Sequence, residues 1–270
     1  MGHSLDTLAL PLAALSRRPV LAAILTSLST TALVWAVRDY RAYIALGPGG
    51  LPHNLAGWLI VTFVLRPFAL SKAHATWTGD YPDKGAHDDV EALPPRKGDR
   101  AELGGIVPHR QLSQHAPERM REYIGNLFAN AVAQNPALVE SKLSLYERNN
   151  PGALFVRPAV LASPAPPATA RTARGEIGHN HGDLSVHMYL GPADARRAIE
   201  KGWAERHRLA RPRGTLFSGR HRVADTYLMI YGPRDDDEMD ALAVFLKNAV
   251  RFMTGREDVQ GIEWRHRVGA

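Results

Sequence analysis

Three histidines fall within one short apolar stretch, at His179, His181 and His187, and Glu176 stands three residues ahead of the first. Imidazole both takes and gives a proton near neutral pH, and as a neutral ring it is a common metal ligand. The stretch therefore suits proton transfer or metal binding. A three-histidine metal site would need a fourth group, for which Glu176 and His207 are candidates. The bland alternative is a solvent-facing hairpin with its polar residues on one side.

Strand geometry limits which histidines can meet. Side chains alternate faces along a strand, so His179 and His181 share one. Residues 176–181 and 184–190 read as two strands of a hairpin turning near Gly182-Asp183. A two-residue turn pairs His179 with Val186 and sends His187 to the other face. A three-residue loop, Gly182-Asp183-Leu184, pairs His179 with His187 and gathers all three. Both registers remain open.

Two further segments carry polar groups of the right kind. Gly202-Trp203-Ala204-Glu205-Arg206-His207 follows a helix end. In it Glu205 can orient a histidine and Arg206 can hold an anionic oxygen, while Trp203 serves equally as core. In Tyr231-Gly232-Pro233-Arg234-Asp235 a strand passes into a helix. This puts Tyr231 and Arg234 beside a helix N-terminus, where anionic groups are favoured, unless the segment is a plain turn.

The elements that would carry these residues are legible in part. Residues 117–135 show helical spacing of apolar residues after Pro117. Residues 143–146 and 153–156 look like short strands. Residues 79–105 read as loop, and the Pro/Ala-rich residues 158–173 as a flexible insertion. A helix opens at Pro192 and closes at Gly202, residues 226–231 form a strand, and residues 235–253 form a helix. Acidic residues crowd the start of that last helix and Gly255 stops it. Hairpin, helix, strand, helix predicts an α+β fold with a mostly antiparallel sheet packed with helices. One such domain is expected over residues 46–270.

Ahead of it, residues 19–37 (PVLAAILTSLSTTALVWAV) carry no charge. Nineteen helical residues span roughly 28 Å, near the ~30 Å hydrocarbon core of a bilayer. Arginines flank both ends, and Trp35 and Tyr40 suit an interface. The expectation is an N-terminal transmembrane helix within residues 1–45. A signal peptide is the rival, but the region before the apolar run is long and no clear cleavage site follows. A second run at residues 55–65 is too short to span, and fits a core helix or one lying in a membrane surface.

Composition narrows the classes. The chain has 270 residues, a net charge of +6 and no cysteine. Thiolate metal sites, disulfides and a cysteine nucleophile are excluded. The dispersed cations, without interleaved aromatics, suit anionic lipid better than nucleic acid. A nucleophile-elbow serine, a dinucleotide-binding glycine motif and a P-loop are all lacking.

Taken together, Glu176-Ile177-Gly178-His179-Asn180-His181, His187, Lys201-Gly202-Trp203-Ala204-Glu205-Arg206-His207 and Tyr231-Gly232-Pro233-Arg234 resemble the fungal luciferase family. So do Arg38-Asp39-Tyr40-Arg41, Leu46-Gly47-Pro48 and Asn54-Leu55-Ala56-Gly57-Trp58. The resemblance implies oxidation of a 3-hydroxyhispidin-type α-pyrone by O2, without an organic cofactor. A bridged peroxide would form, lose CO2 and leave an excited product. On this reading His179 or His181 is the base, Glu176 orients it, His187 and His207 bind pyrone oxygens, and Arg206 or Arg234 steadies the enolate. Trp203, Glu205 and Tyr231 complete the substrate site. The implied partners are the small pyrone and membrane lipid, with an intracellular membrane such as the endoplasmic reticulum as the location and no nucleic acid. The alternatives are a metal-dependent hydrolase or dioxygenase on His179, His181 and His187, a non-luminous relative acting on another pyrone, and a non-catalytic membrane-tethered binding module.

Overall fold

The structure is a computed structural model describing residues 18–148, 150–218 and 221–269. Residues 1–17 of the expected N-terminal region, including Arg17 of the flanking arginines, lie outside the described residues. The described residues form two units, one ending at Ala45 and the other beginning at Leu46.

The first unit is helix α1, Pro19–Ala45. Its 27 residues extend roughly 40 Å, and it continues past the uncharged stretch through Arg38, Asp39 and Arg41. Among the described residues it is the one helix long and apolar enough to cross a membrane.

The second unit opens on helix α2, Leu55–Phe68. Asn54 caps it by accepting from the backbone N–H groups of Ala56 and Gly57, at 3.0 and 3.3 Å. The helix widens to a π-turn over Ile60–Leu65 and tightens at Arg66–Phe68, where Pro67 supplies no N–H. Short helices α3 (Lys72–Ala75) and α4 (Asp88–Glu91) follow. A two-stranded ribbon, β1 (Leu103–Gly105) with β2 (His109–Gln111), stands apart from the main sheet.

Helix α5, Met120–Gln134, buries Ile124, Leu127, Phe128 and Ala131, as its spacing requires. Strand β3 is Val139–Lys142 rather than residues 143–146. It is an edge strand whose exposed Ser141 and Lys142 hide the apolar signal expected of a strand. Strand β4, Ala153–Val156, is fully buried. The Pro/Ala-rich residues are not a flexible linker. They fold as one-turn helices α6 (Pro158–Leu161) and α7 (Ala168–Thr172), with Thr169, Ala170 and Ala173 buried.

Then come β5 (Glu176–Asn180), β6 (Val186–Tyr189), helix α8 (Pro192–Glu200), β7 (Ala204–Arg206), β8 (Tyr227–Ile230) and helix α9 (Asp236–Thr254). Asp235 caps α9 by accepting from Glu238 N at 2.9 Å, and Gly255 ends it at φ 65°. The six strands form one antiparallel sheet in the order β3-β4-β5-β6-β8-β7. This is the expected α+β class. Pairing of His187 with Met229, and of Glu205 with Met229, puts these three on one face. Met188, Leu228 and Arg206 alternate to the other face. Helix α9 packs on β4, β5 and β6.

Candidate functional site

The hairpin takes the register that gathers its histidines. His179 pairs directly with His187. His181 N donates to Ser185 O at 2.9 Å, and Leu184 N donates to His181 O at 3.0 Å, closing a three-residue loop. Such a loop needs a left-handed residue at its third position, ordinarily Gly or Asn. Leu184 fills it at φ 68° with its side chain buried, which offsets the backbone cost.

Glu176 reaches His179 because β5 is irregular. In an even strand residues three apart lie on opposite faces. Here Phe155 pairs with Glu176 and Leu154 with Gly178, so Ile177 is an extra residue and the strand bulges. His179 Nδ1 and Glu176 Oε1 are 2.7 Å apart. The carboxylate also accepts from Ser144 Oγ and from Leu145 N, both at 2.7 Å. With His179 Nδ1–H donating to this carboxylate, its Nε2 keeps a lone pair.

A second relay fixes His181. Ser185 Oγ donates to Asp183 Oδ1 at 2.5 Å, which leaves it to accept from His181 Nδ1–H at 2.9 Å. His181 Nε2 then also keeps its lone pair, and the two Nε2 atoms face each other at 3.2 Å. Nearby, His187 Nε2 lies 3.3 Å from Nδ1 of a fifth ring, His109. The ribbon strand β2 carries His109 over this face, where Gln111 N donates to Asp183 Oδ2 at 2.9 Å.

His207 closes the group but is committed at both nitrogens. Its Nδ1 accepts from Leu209 N at 3.1 Å, so its Nε2–H donates to Ile106 O at 3.1 Å. All five rings are buried. Burial is the main cause that pushes His109, His181 and His187 well below the usual imidazole range, and neighbouring rings and arginines add to it. Burial likewise brings His207 down to about 3. Tyr227, whose ring lies tilted against His187 at 4.8 Å, is pushed well above the usual phenol range by burial. Nitrogens of His179, His181 and His187 lie within 4.8 Å of one another, as do those of His109, His187 and His207.

Four of these rings (His179, His181, His187 and His207), with His109, line a cavity of about 250 Å³. Its other walls are mostly apolar or aromatic, notably Ile60, Leu65, Tyr146 and Tyr227, and its charged pair is Arg110 with Glu147. Arg110 pairs with Glu147 at 3.0 Å. A small, mostly apolar space with convergent polar groups is what a planar ligand requires.

The remaining predicted site residues lie elsewhere. Arg206, neighbour to His207 in sequence, points to the opposite face of the sheet. There it pairs with Asp80 at 2.6 Å and lies 4.2 Å over the Tyr81 ring. Trp203 is core, donating Nε1–H to Pro94 O at 2.9 Å and packing on Phe245. Tyr231 donates to Glu205 at 2.7 Å. Burial raises the Glu205 carboxyl above its usual range. Arg234 bonds Glu238 at the start of α9 and Gln114 Oε1 at 3.1 Å. None of these five lines the histidine cavity. Sequence reading missed His109, Arg110 and Tyr146, which come from short loops or the ribbon and share no spacing with the hairpin.

Comparison with known proteins adds the family. The model of the Luciferase domain matches residues 174–249, which hold the histidine hairpin, His207 and the first part of α9. The luciferases of Armillaria gallica and Armillaria ostoyae are each 28% identical over 236 residues, covering 84% of this chain and 84% of theirs. The luciferase of Neonothopanus nambi is 26% identical over 226 residues, covering 80% of each. No solved structure matches. The domain match takes in four of the five buried imidazoles, the similarity runs far beyond it along most of the chain, and the chain is similar to the fungal luciferases on both counts.

Proposed function

We propose that this chain is a luciferase-type oxygenase that oxidises a 3-hydroxy-α-pyrone of the 3-hydroxyhispidin type with O2. The family supports a luciferase-like activity. The observation that carries the reading is the pair of opposed Nε2 atoms of His179 and His181, 3.2 Å apart at a mostly apolar cavity.

Both nitrogens are hydrogen-bond acceptors, each fixed by an acidic relay on its far side, Glu176 for one and Ser185–Asp183 for the other. An enol proton arriving between them is held by two imidazoles, which offsets their burial. The enolate so formed is electron-rich enough to add O2. The peroxide closes on the lactone carbonyl, CO2 leaves, and the remaining caffeylpyruvate-type acid is left excited and emits. Arg110, paired with Glu147 at the cavity wall, supplies the positive partner for the oxygens that gain charge. Helix α1 holds the enzyme as a single-pass protein on an intracellular membrane.

The test is 3-hydroxyhispidin in air with photon output and oxygen uptake recorded together. Light with stoichiometric oxygen uptake supports the reading, and no oxygen uptake sinks it.

A second reading is favoured by the same geometry. Two imidazoles on one metal at ~2.0–2.1 Å bring their nitrogens roughly 3.3 Å apart. His179 and His181 nearly meet that, and His187 is the third ligand within reach. Metal content after loading and dialysis, then turnover after chelation, separates this metal-dependent dioxygenase from the metal-free enzyme.

A further inference from the structure

Helix α2 is dressed the wrong way round for a helix facing water. Gly57, Trp58, Val61 and Thr62 turn inward and are buried. Leu55, Phe63 and Val64 turn outward at 55%, 62% and 51% exposure, with Leu59 and Ile60 beside them. The one side-chain hydroxyl between residues 55 and 65, that of Thr62, is thus inside, and the outer face is wholly apolar. Surface helices ordinarily show the reverse, and a contiguous exposed apolar patch marks an interaction site.

That face adjoins the wall of the histidine cavity. Ile60 and Leu65 belong both to α2 and to the cavity wall. At the end of α2 the Phe68 ring meets Phe217 at 4.7 Å. The loop bearing Phe217 also carries Leu216, 73% exposed. Around this apolar zone the charge has one sign. Residues 42–79 contain no Asp or Glu but include Arg66 and Lys72. Residues 207–224 contain none either, against five arginines, of which Arg213 pairs with Asp225 at 3.5 Å. Apolar side chains ringed by cations match the boundary of an anionic bilayer, where acyl chains lie just beneath negative headgroups. A second copy of this chain would set two cationic rims against each other.

We propose that the outer face of α2 and the loop carrying Leu216 seat on an anionic lipid bilayer, so that the cavity entrance opens at the acyl-chain boundary and a flat, sparingly soluble ligand enters from the lipid. The seating on lipid stands apart from the reaction proposed above, while entry of the ligand rests on that reading of the cavity.

The chain has no cysteine, so single labels are readily placed. The full chain is reconstituted in phosphatidylcholine vesicles with and without phosphatidylserine. Phe63→Cys, Leu216→Cys and Glu257→Cys each carry a nitrobenzoxadiazole label. Glu257 is exposed and follows α9, which packs on the opposite face of the sheet from the histidines. Doxyl-lipid quenching at least twofold stronger at residues 63 and 216 than at residue 257, and strengthened by phosphatidylserine, is the expected result. Quenching at either site no greater than at 257 overturns the proposal. So does a label at residue 63 that is shielded from aqueous iodide yet untouched by lipid quenchers, which would mean a second protein copy covers the face.

Discussion

At the scale of single residues, the site rests on fixed tautomers. Glu176 holds the proton on His179 Nδ1, and replacing its carboxylate with an amide removes the charge that favours that arrangement. Glu176→Gln is expected to lower turnover roughly tenfold to a hundredfold, read as photon output and oxygen uptake at saturating substrate. His181→Ala removes one of the two proton acceptors and is expected to cost roughly a hundredfold or more in kcat. Near-wild-type rates in this variant would discard the paired-acceptor mechanism. The three hairpin histidines and Glu176 were legible in the sequence because they sit close together on one strand pair. His109 was not, since it arrives from 70 residues away on a three-residue strand with no periodicity. Arg206 misled for a simple reason. Adjacent residues of a strand face opposite ways, so its neighbour His207 reaches the cavity while Arg206 cannot.

At the scale of elements, close packing fixes the hairpin. A Cβ on Gly178 would lie 2.5 Å from the His187 carbonyl oxygen and 2.9 Å from Met188 Cβ. Gly178→Ala therefore pushes β5 from β6. The expected result is a loss of about 1–3 kcal/mol in chemical unfolding, with activity falling along with it. At the start of α9, Asp235→Ala removes a cap without touching the cavity. It should cost about 1 kcal/mol and leave turnover per folded molecule unchanged. Helices α5, α8 and α9 were readable because each shows apolar periodicity, to which α8 adds Pro192 in its first turn and α9 adds the Asp235 cap and the Gly255 stop. The register of the hairpin was not, because leucine rather than glycine holds its left-handed position. Strand β3 was misplaced because an edge strand with a polar end resembles loop.

At the scale of the whole molecule, the buried imidazoles make the fold sensitive to acid. His109, His181, His187 and His207 have folded pKa values below that of the unfolded chain, near 6.5. The unfolded state therefore binds more protons once the pH falls below that value. Their contribution to stability is full above about pH 6.5 and is lost progressively below it, toward the folded value of about 3 for His207. Thermal unfolding of chelator-treated protein should show a Tm that is flat from pH 7 to 8 and drops steadily from 6.5 to 5. A Tm that rises on acidification would contradict the neutral state assigned to these rings.

Asp183 ties two parts of this arrangement into one. Its Oδ1 receives the serine that sets the His181 proton, and its Oδ2 receives the backbone of the ribbon that delivers His109. Displacing the ribbon would therefore disturb the same carboxylate that fixes the His181 ring, so roof and floor of the chamber are one hydrogen-bonded unit.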